Sequence, residues 1–252
     1  MSGHAPFFFA EPADLAAAHL TIEGEDARHL AVVRRASPGD RVRISDGRGT
    51  IADARLTSVT PAAVGAEVLE RTVTPAPSPR VEVHQGLAKG DKVDGVIRHL
   101  VEMGVDGIVV FEAGRSVARW DGARQAAAGR RWATIAREAA KQSHRPWLPV
   151  LAGPLRETEA AAAPAGRGLG LVAHPAAGSR LRDVLADRAP GGGGPESVWV
   201  VVGPEGGLAE DEVASFAAAG AVPVSLGPQI LRTETASVVA AALVLHHFGR
   251  LG

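Results

Sequence analysis

Val201-Val202-Gly203-Pro204-Glu205-Gly206-Gly207 and Leu226-Gly227-Pro228-Gln229-Ile230-Leu231-Arg232-Thr233-Glu234-Thr235-Ala236 decide how this chain folds. Each runs from an apolar strand candidate into a Gly/Pro turn and on toward a helix candidate. In an α/β domain such turns gather at one edge of the sheet, and ligands bind there. Glycine lets backbone N–H groups come close to a ligand, and a helix start adds partial positive charge. Arg232 and Glu234 set two charges beside the second turn. The two turns together predict a cofactor pocket with a catalytic rim. Leu226, Gly227, Ile230 and Leu231 are expected to wall an apolar slot whose backbone groups read an adenine edge. Thr233 or Thr235 is expected to cap the last helix. The competing reading makes both turns ordinary connections and Arg232 and Glu234 a surface ion pair of little weight.

Upstream, apolar runs at 81–87, 105–111, 168–173, 198–202 and 222–226 read as buried strands. Helical spacing recurs between them. Val93, Val96, Ile97, Leu100 and Val101 form one apolar stripe. Trp132, Ile135, Ala136, Ala139 and Ala140 form another, with Arg130, Arg137 and Lys141 on a separate face. Residues 235–248 make a long apolar helix closed by Gly249, and its Val238, Val239, Ala242, Leu243 and Leu245 suit either a core or an interface. Such alternation implies a mostly parallel sheet with helices on both faces. The residues alone predict an open, doubly wound sheet, because knots are nearly absent from proteins.

The pattern differs before Thr74-Pro75-Ala76-Pro77-Ser78-Pro79, whose prolines mark a linker at 74–79. In Arg41-Val42-Arg43-Ile44-Ser45 a period of two turns Val42 and Ile44 inward and both arginines outward. Asp46-Gly47 signals a hairpin turn, with 50–56 returning as its partner and 63–69 as a further strand. Residues 1–73 read as a small β-barrel with one helix at 26–35, and 80–252 as the α/β domain.

The chain has 252 residues, 46% of them hydrophobic, and a net charge of −1. Cysteine is absent, which excludes disulfides and thiolate metal sites and fits a reducing, cytoplasmic setting. The first ten residues carry no basic region ahead of an apolar run, and no stretch of about 20 apolar residues occurs, so neither a signal peptide nor a membrane span is expected. Charge is unevenly spread. Arg28, Arg34, Arg35, Arg41, Arg43 and Arg48 cluster near the N-terminus. Arg115, Arg119, Arg124, Arg130, Arg131, Arg137, Lys141 and Arg145 form a second cluster, interleaved with Trp120, Trp132, His144 and Trp147. Basic groups neutralise phosphates and aromatic faces stack on bases. Both nucleic-acid contact and a merely solvated arginine-rich face remain open.

Several chemistries lack their residues. No GxGxxG follows a strand and no Walker lysine loop occurs. The histidines never take metal-ligand spacing, and the adjacent His246 and His247 point to different helix faces, so no metal is expected. Ser37 and Ser179 sit in no GxSxG elbow. The glycine run at 191–194 reads as a surface loop.

The two C-terminal stretches resemble those of the RsmE family of ribosomal RNA methyltransferases, in the SPOUT superfamily. His29-Leu30, Val33, Arg35, Pro38-Gly39-Asp40 and Asp46-Gly47 resemble the family's PUA-like N-terminal domain. Lys92, Glu102-Met103-Gly104-Val105, Arg115-Ser116-Val117, Arg131-Trp132 and Glu138-Ala139-Ala140-Lys141-Gln142-Ser143 followed by Arg145 resemble its middle region, and His174-Pro175 resembles its cofactor-side turn. The resemblance implies a C-terminal trefoil knot, a homodimer, and S-adenosylmethionine-dependent methylation of uridine N3 in 16S ribosomal RNA or the small ribosomal subunit. It places the cofactor on His174, Gly203, Pro204, Glu205, Gly206, Leu226, Gly227 and Leu231. Arg232 would stabilise the developing base anion, and Glu234 would orient Arg232 or accept the proton. Arg28, Arg34, Arg35, Arg43, Arg115, Arg130, Arg137, Lys141 and Arg145 would contact RNA. A ribose 2′-hydroxyl methyltransferase and a non-catalytic RNA-binding assembly factor are the rival readings.

Overall fold

The computed structural model describes residues 5–116, 122–163, 168–187 and 194–252. Arg119, Trp120 and most of the 191–194 glycine run lie outside them. The chain divides into two compact units: the chain through Ala76 with Ala140–Leu148, and Pro77–Ala139 with Pro149–Gly252.

The first unit carries β1 (Phe7–Phe9), α1 (Pro12–Ala16), β2 (His19–Glu23), α2 (Gly24–Arg28), β3 (Arg41–Ser45), β4 (Thr50–Val59) and β5 (Ala63–Val73). The strands form one curled sheet in the order β1-β3-β4-β5-β2, antiparallel except for β1 on β3. Register shifts at Asp53/Ala54 and Leu56/Ser58 bend β4 against β5, as bulges do. Val42, Ile44, Ala54, Leu56 and Val64 turn inward onto Leu15, Leu20, Ala27 and Leu30, so period-two patterning sets the core. At the β3–β4 turn, the Asp46 carboxylate accepts the Arg48 and Thr50 amides at 2.7 and 3.0 Å. The helix expected over 26–35 is shorter. After α2 the chain widens into a π-turn at His29–Val33, closed by Arg34 N–H donating to the His29 carbonyl at 3.0 Å. The wider turn keeps Leu30 in the core while Val32 and Val33 stay exposed.

The second unit carries β6 (Arg80–Gly86), α3 (Lys92–Met103), β7 (Gly107–Glu112), α4 (Gly122–Gln142, its last residues in the first unit), β8 (Val150–Arg156), α5 (Glu157–Ala162), β9 (Leu169–Ala173), β10 (Ser179–Arg180), α6 (Leu181–Ala186), β11 (Ser197–Val202), α7 (Glu210–Ala218), β12 (Ala221–Ser225) and α8 (Thr233–His247). Its seven strands pair in parallel in the order β10-β12-β9-β11-β6-β7-β8. One face packs Val109, Phe111, Trp199 and Val201 against Ala160 of α5 and Phe216 of α7. The other carries α3 and α8, which pack on each other and, through α8, on β6 and β11. Each apolar run expected to be a strand is one. β8 escapes a periodicity reading because Gly153 and Pro154 interrupt it, and its register on β7 shifts there.

The parallel sheet fixes where the site lies. The C-terminal ends of β12, β9 and β11 are neighbours at one edge, so the segments that follow them meet. Gly86 ends β6 beside them, with no room for a side chain: a Cβ there would lie 2.5 Å from the Pro204 nitrogen. Gly86→Ala must therefore push the Gly203–Gly207 bend aside. Overpacking of this kind costs about 1–3 kcal/mol, which urea unfolding should register as a lowered midpoint.

Candidate active site

Three bends line one cavity of about 690 Å³. The first follows β9 at His174, whose N–H donates to the Val224 carbonyl at 2.9 Å. The second, Gly203–Leu208, follows β11 and is closed by Gly207 N–H donating to the Pro204 carbonyl at 2.9 Å. The third follows β12, where the Ser225 hydroxyl donates to the Gly227 carbonyl at 3.1 Å and accepts its amide at 3.3 Å. His174, Gly203, Pro204, Glu205, Gly206, Leu226, Gly227, Leu231 and Arg232 all border this cavity. Its size is that of a pocket for a nucleoside-sized molecule. Apolar walls come from Ala173, Val202, Leu226 and Leu231. Backbone groups of Ile230 and Leu231, outside any helix or strand, make no backbone–backbone hydrogen bond among the described residues and stay available to a ligand. Apolar walls with unspent backbone groups suit a flat heteroaromatic ring.

Beneath the bends lies a buried polar network that sequence reading missed. The Gln85 amide, 1% exposed on β6, donates to the Gly86 carbonyl at 2.7 Å and to the Thr233 hydroxyl at 3.0 Å, and accepts the Ser237 hydroxyl. The Thr233 hydroxyl in turn donates to the Gly203 carbonyl at 2.6 Å. Thr233 therefore does not cap α8. The N-cap position is Arg232, in extended conformation and without a side-chain cap. The only sequence signal for the network is a glutamine inside an apolar strand and a serine inside an apolar helix.

Several charges stand around the bends. Lys92, the first residue of α3, places its ammonium 2.8 Å from Glu205 Oε1 and 3.8 Å from Glu234 Oε2. Desolvation works to raise the Glu205 carboxyl, but hydrogen bonds from Lys92 and from backbone amides outweigh it and hold it below the usual carboxylate range. The hydrogen bond to Glu205 in turn raises Lys92 above its ordinary value. Glu234 borders an adjoining groove rather than the main cavity, and its Oε2 is buried with no hydrogen-bond partner. The Arg232 side chain makes no hydrogen bond or ion pair among the described residues, so Glu234 does not hold it.

The basic residues expected to meet RNA fall in different settings. In the first unit Arg28, Arg34 and Arg35 are exposed, Arg43 pairs with Asp53 at 3.4 Å, and Lys141 pairs with Asp26 at 2.7 Å. Arg145 is buried, at 8% exposure. In the second unit Arg130 is exposed and Arg137 half-buried along α4. Arg115 donates to the Gly206 and Leu208 carbonyls, both at 3.4 Å, and borders the cavity itself. Among the described residues no group of His, Asp and Glu could hold a metal ion.

A family model described as an RNA methyltransferase domain matches residues 74–245, and one described as an RNA methyltransferase PUA domain matches 22–68. Ribosomal RNA small subunit methyltransferase E of Mycobacterium bovis is 37% identical over 95% of this chain and 91% of its own. The same-named protein of Bacillus subtilis is 32% identical over 89% of each. The crystal structure of the Neisseria gonorrhoeae protein of that name, bound to S-adenosylmethionine, superposes with a TM-score of 0.83 at 31% identity, covering 96% of this chain and 98% of that one. Matched along both of its units, and by relatives whose lengths it nearly spans, the chain belongs to the ribosomal RNA small subunit methyltransferase E family.

Proposed function

We propose that this protein transfers a methyl group from S-adenosylmethionine to N3 of a uridine in small-subunit (16S) ribosomal RNA. The observation that carries the reading is a guanidinium, Arg232, without a partner among the described residues and at the rim of a cavity built from glycine bends. Family membership and the S-adenosylmethionine-bound relative support the cofactor and the RNA class. His174, Gly203, Pro204, Glu205, Gly206, Leu226, Gly227 and Leu231 would hold the cofactor, whose sulfonium supplies an already activated methyl group.

The chain's own task is then threefold. It must align the base with the methyl group, and such positioning can supply about 7–11 kcal/mol of the barrier. It must remove the proton from N3, a weak acid at neutral pH. It must also stabilise the negative charge that spreads onto the flanking carbonyl oxygens. Arg232 donates to one of those oxygens. Glu234, two residues beyond Arg232 on the first turn of α8, accepts the proton on its carboxylate. The exposed arginines of the first unit, with Arg115, Arg130 and Arg137, take phosphates. We further read the protein as a cytoplasmic homodimer whose C-terminal bends are threaded in a trefoil knot.

The direct test offers radiolabelled methyl donor and small ribosomal subunits from cells lacking the protein. Nuclease digestion and mass spectrometry should find a base-methylated uridine. Label on a ribose would select the 2′-hydroxyl reading, and failure to bind the donor would select the assembly factor. Arg232→Ala should lower kcat by about 10²–10³-fold, as loss of one oxyanion donor does, with donor affinity nearly unchanged. Gly206 tolerates little: a Cβ would sit 3.0 Å from the Arg115 Cβ. Gly206→Leu should abolish donor binding in calorimetry. RNA affinity should fall linearly in log–log with salt, and Arg35→Glu should flatten that slope. Arg145→Glu is no substitute for it, because that side chain is buried.

A further inference from the structure

Lys92 borders both the bend-lined cavity and the groove beside α8 that Glu234 enters. Its backbone is fixed by its helix, where Val93, Val96, Ile97, Leu100 and Val101 are all buried. Its ammonium touches Glu205 on the second bend and faces Glu234 on the first turn of α8. The two contacts differ in kind. At 2.8 Å Lys92 hydrogen-bonds Glu205; at 3.8 Å it attracts Glu234 without donating to it. The near oxygen of Glu234 is thus held by a charge while its lone pairs stay unspent. Other charges border the same groove but leave Glu234 to Lys92. Asp94 is engaged by Arg131 at 2.9 Å and by the Trp132 indole at 3.0 Å. Arg98 makes no ion pair with Glu234 within 4.0 Å among the described residues.

We infer that Lys92 is a positioning residue for methyl transfer, holding the Glu234 carboxylate in place to receive the N3 proton while anchoring Glu205 on the cofactor bend. The inference rests on the proton-acceptor role given to Glu234 above. In that step the N3–H bond breaks, its electron pair stays on N3 as the nucleophile, and the proton forms an O–H bond on the Glu234 carboxylate. Lys92 acts through the two carboxylates. Glu205 reaches Lys92 from the bend and Glu234 from the helix, so one ammonium sets the spacing between cofactor and proton acceptor.

The test uses the full-length protein, saturating donor and RNA, and single-turnover transfer of radiolabel. Saturation removes any weakening of the cofactor bend from the comparison. Lys92→Met should lower kcat by about 10–100-fold, the scale of a misplaced catalytic group, and Lys92→Arg should recover it to within a few-fold. Combined with Glu234→Asp, which draws the carboxylate back, Lys92→Met should cost much less than it does alone. Wild-type kcat in Lys92→Met overturns the inference. So does equal loss in the Met and Arg variants, or a full multiplicative loss on top of Glu234→Asp. Should Lys92→Met fail to fold by circular dichroism, Lys92→Gln carries the same comparisons. A wild-type protein that transfers no methyl defeats the proposed function itself; an active wild type with an indifferent Lys92 defeats this inference alone.

Discussion

Gln85 lies in the apolar interior of β6, where an amide without partners would cost about 1–3 kcal/mol. Its partners are the Thr233 and Ser237 hydroxyls of α8 and the carbonyl of its own neighbour Gly86. Thr233 hands the same chain of hydrogen bonds on to the Gly203 carbonyl. The requirement that these buried groups be satisfied therefore fixes the start of α8 against the bend after β11. Arg232 and Glu234 flank Thr233 in sequence, so the constraint that seats the helix also seats both charges. The walls of the cavity and its rim come from one packing solution.

Much of this was legible in the residues. Alternation in Arg41–Ser45 gave the right inward set, and apolar runs marked the central strands of the parallel sheet. The glycine bends announced the cavity because turn chemistry is local. What stayed hidden depends on residues far apart in the chain. Gln85 and Thr233 are separated by 148 positions, Gln85 and Ser237 by 152, and Lys92 and Glu205 by 113. No periodicity carries such a pairing. The segment Ala140–Leu148 was hidden for the same reason. It belongs with the first unit, where the Pro146 carbonyl accepts the Ser45 hydroxyl at 2.9 Å and the Trp147 indole donates to the Thr74 carbonyl at 3.2 Å. Its arginine thus reads as surface charge in the sequence and is buried in the fold.

The same limit explains why a basic cluster is a weaker guide than a glycine bend. A glycine's freedom is a property of its own backbone, whereas an arginine's role depends on what faces it. Arg115 turns to the carbonyls of Gly206 and Leu208, and Lys141 to Asp26, while Arg34 and Arg35 remain exposed. Identical charges in the sequence become a brace, an ion pair and an open cation.

Environment likewise separates two carboxylates that composition counts as equals. Glu205 accepts the Lys92 ammonium and the Lys89 amide, and these donors keep it ionised. Its folded-state value is lowered, so the stability it lends the bend is present above its unfolded value and is lost as pH falls through the folded one. Lys92 has the opposite sign: its value is raised, and its share is lost only as pH rises through that raised value. The pair therefore persists across the neutral range in which a base must work. Partly exposed, it holds geometry more than it adds stability. Glu234 receives the field of the same ammonium but no hydrogen bond on its buried oxygen. The donors on Glu205 fix it as a strut of the bend, whereas Glu234 keeps one oxygen without a hydrogen bond. The contrast between the settings of Glu205 and Glu234 follows from about one ångström of difference in their distances to a single lysine.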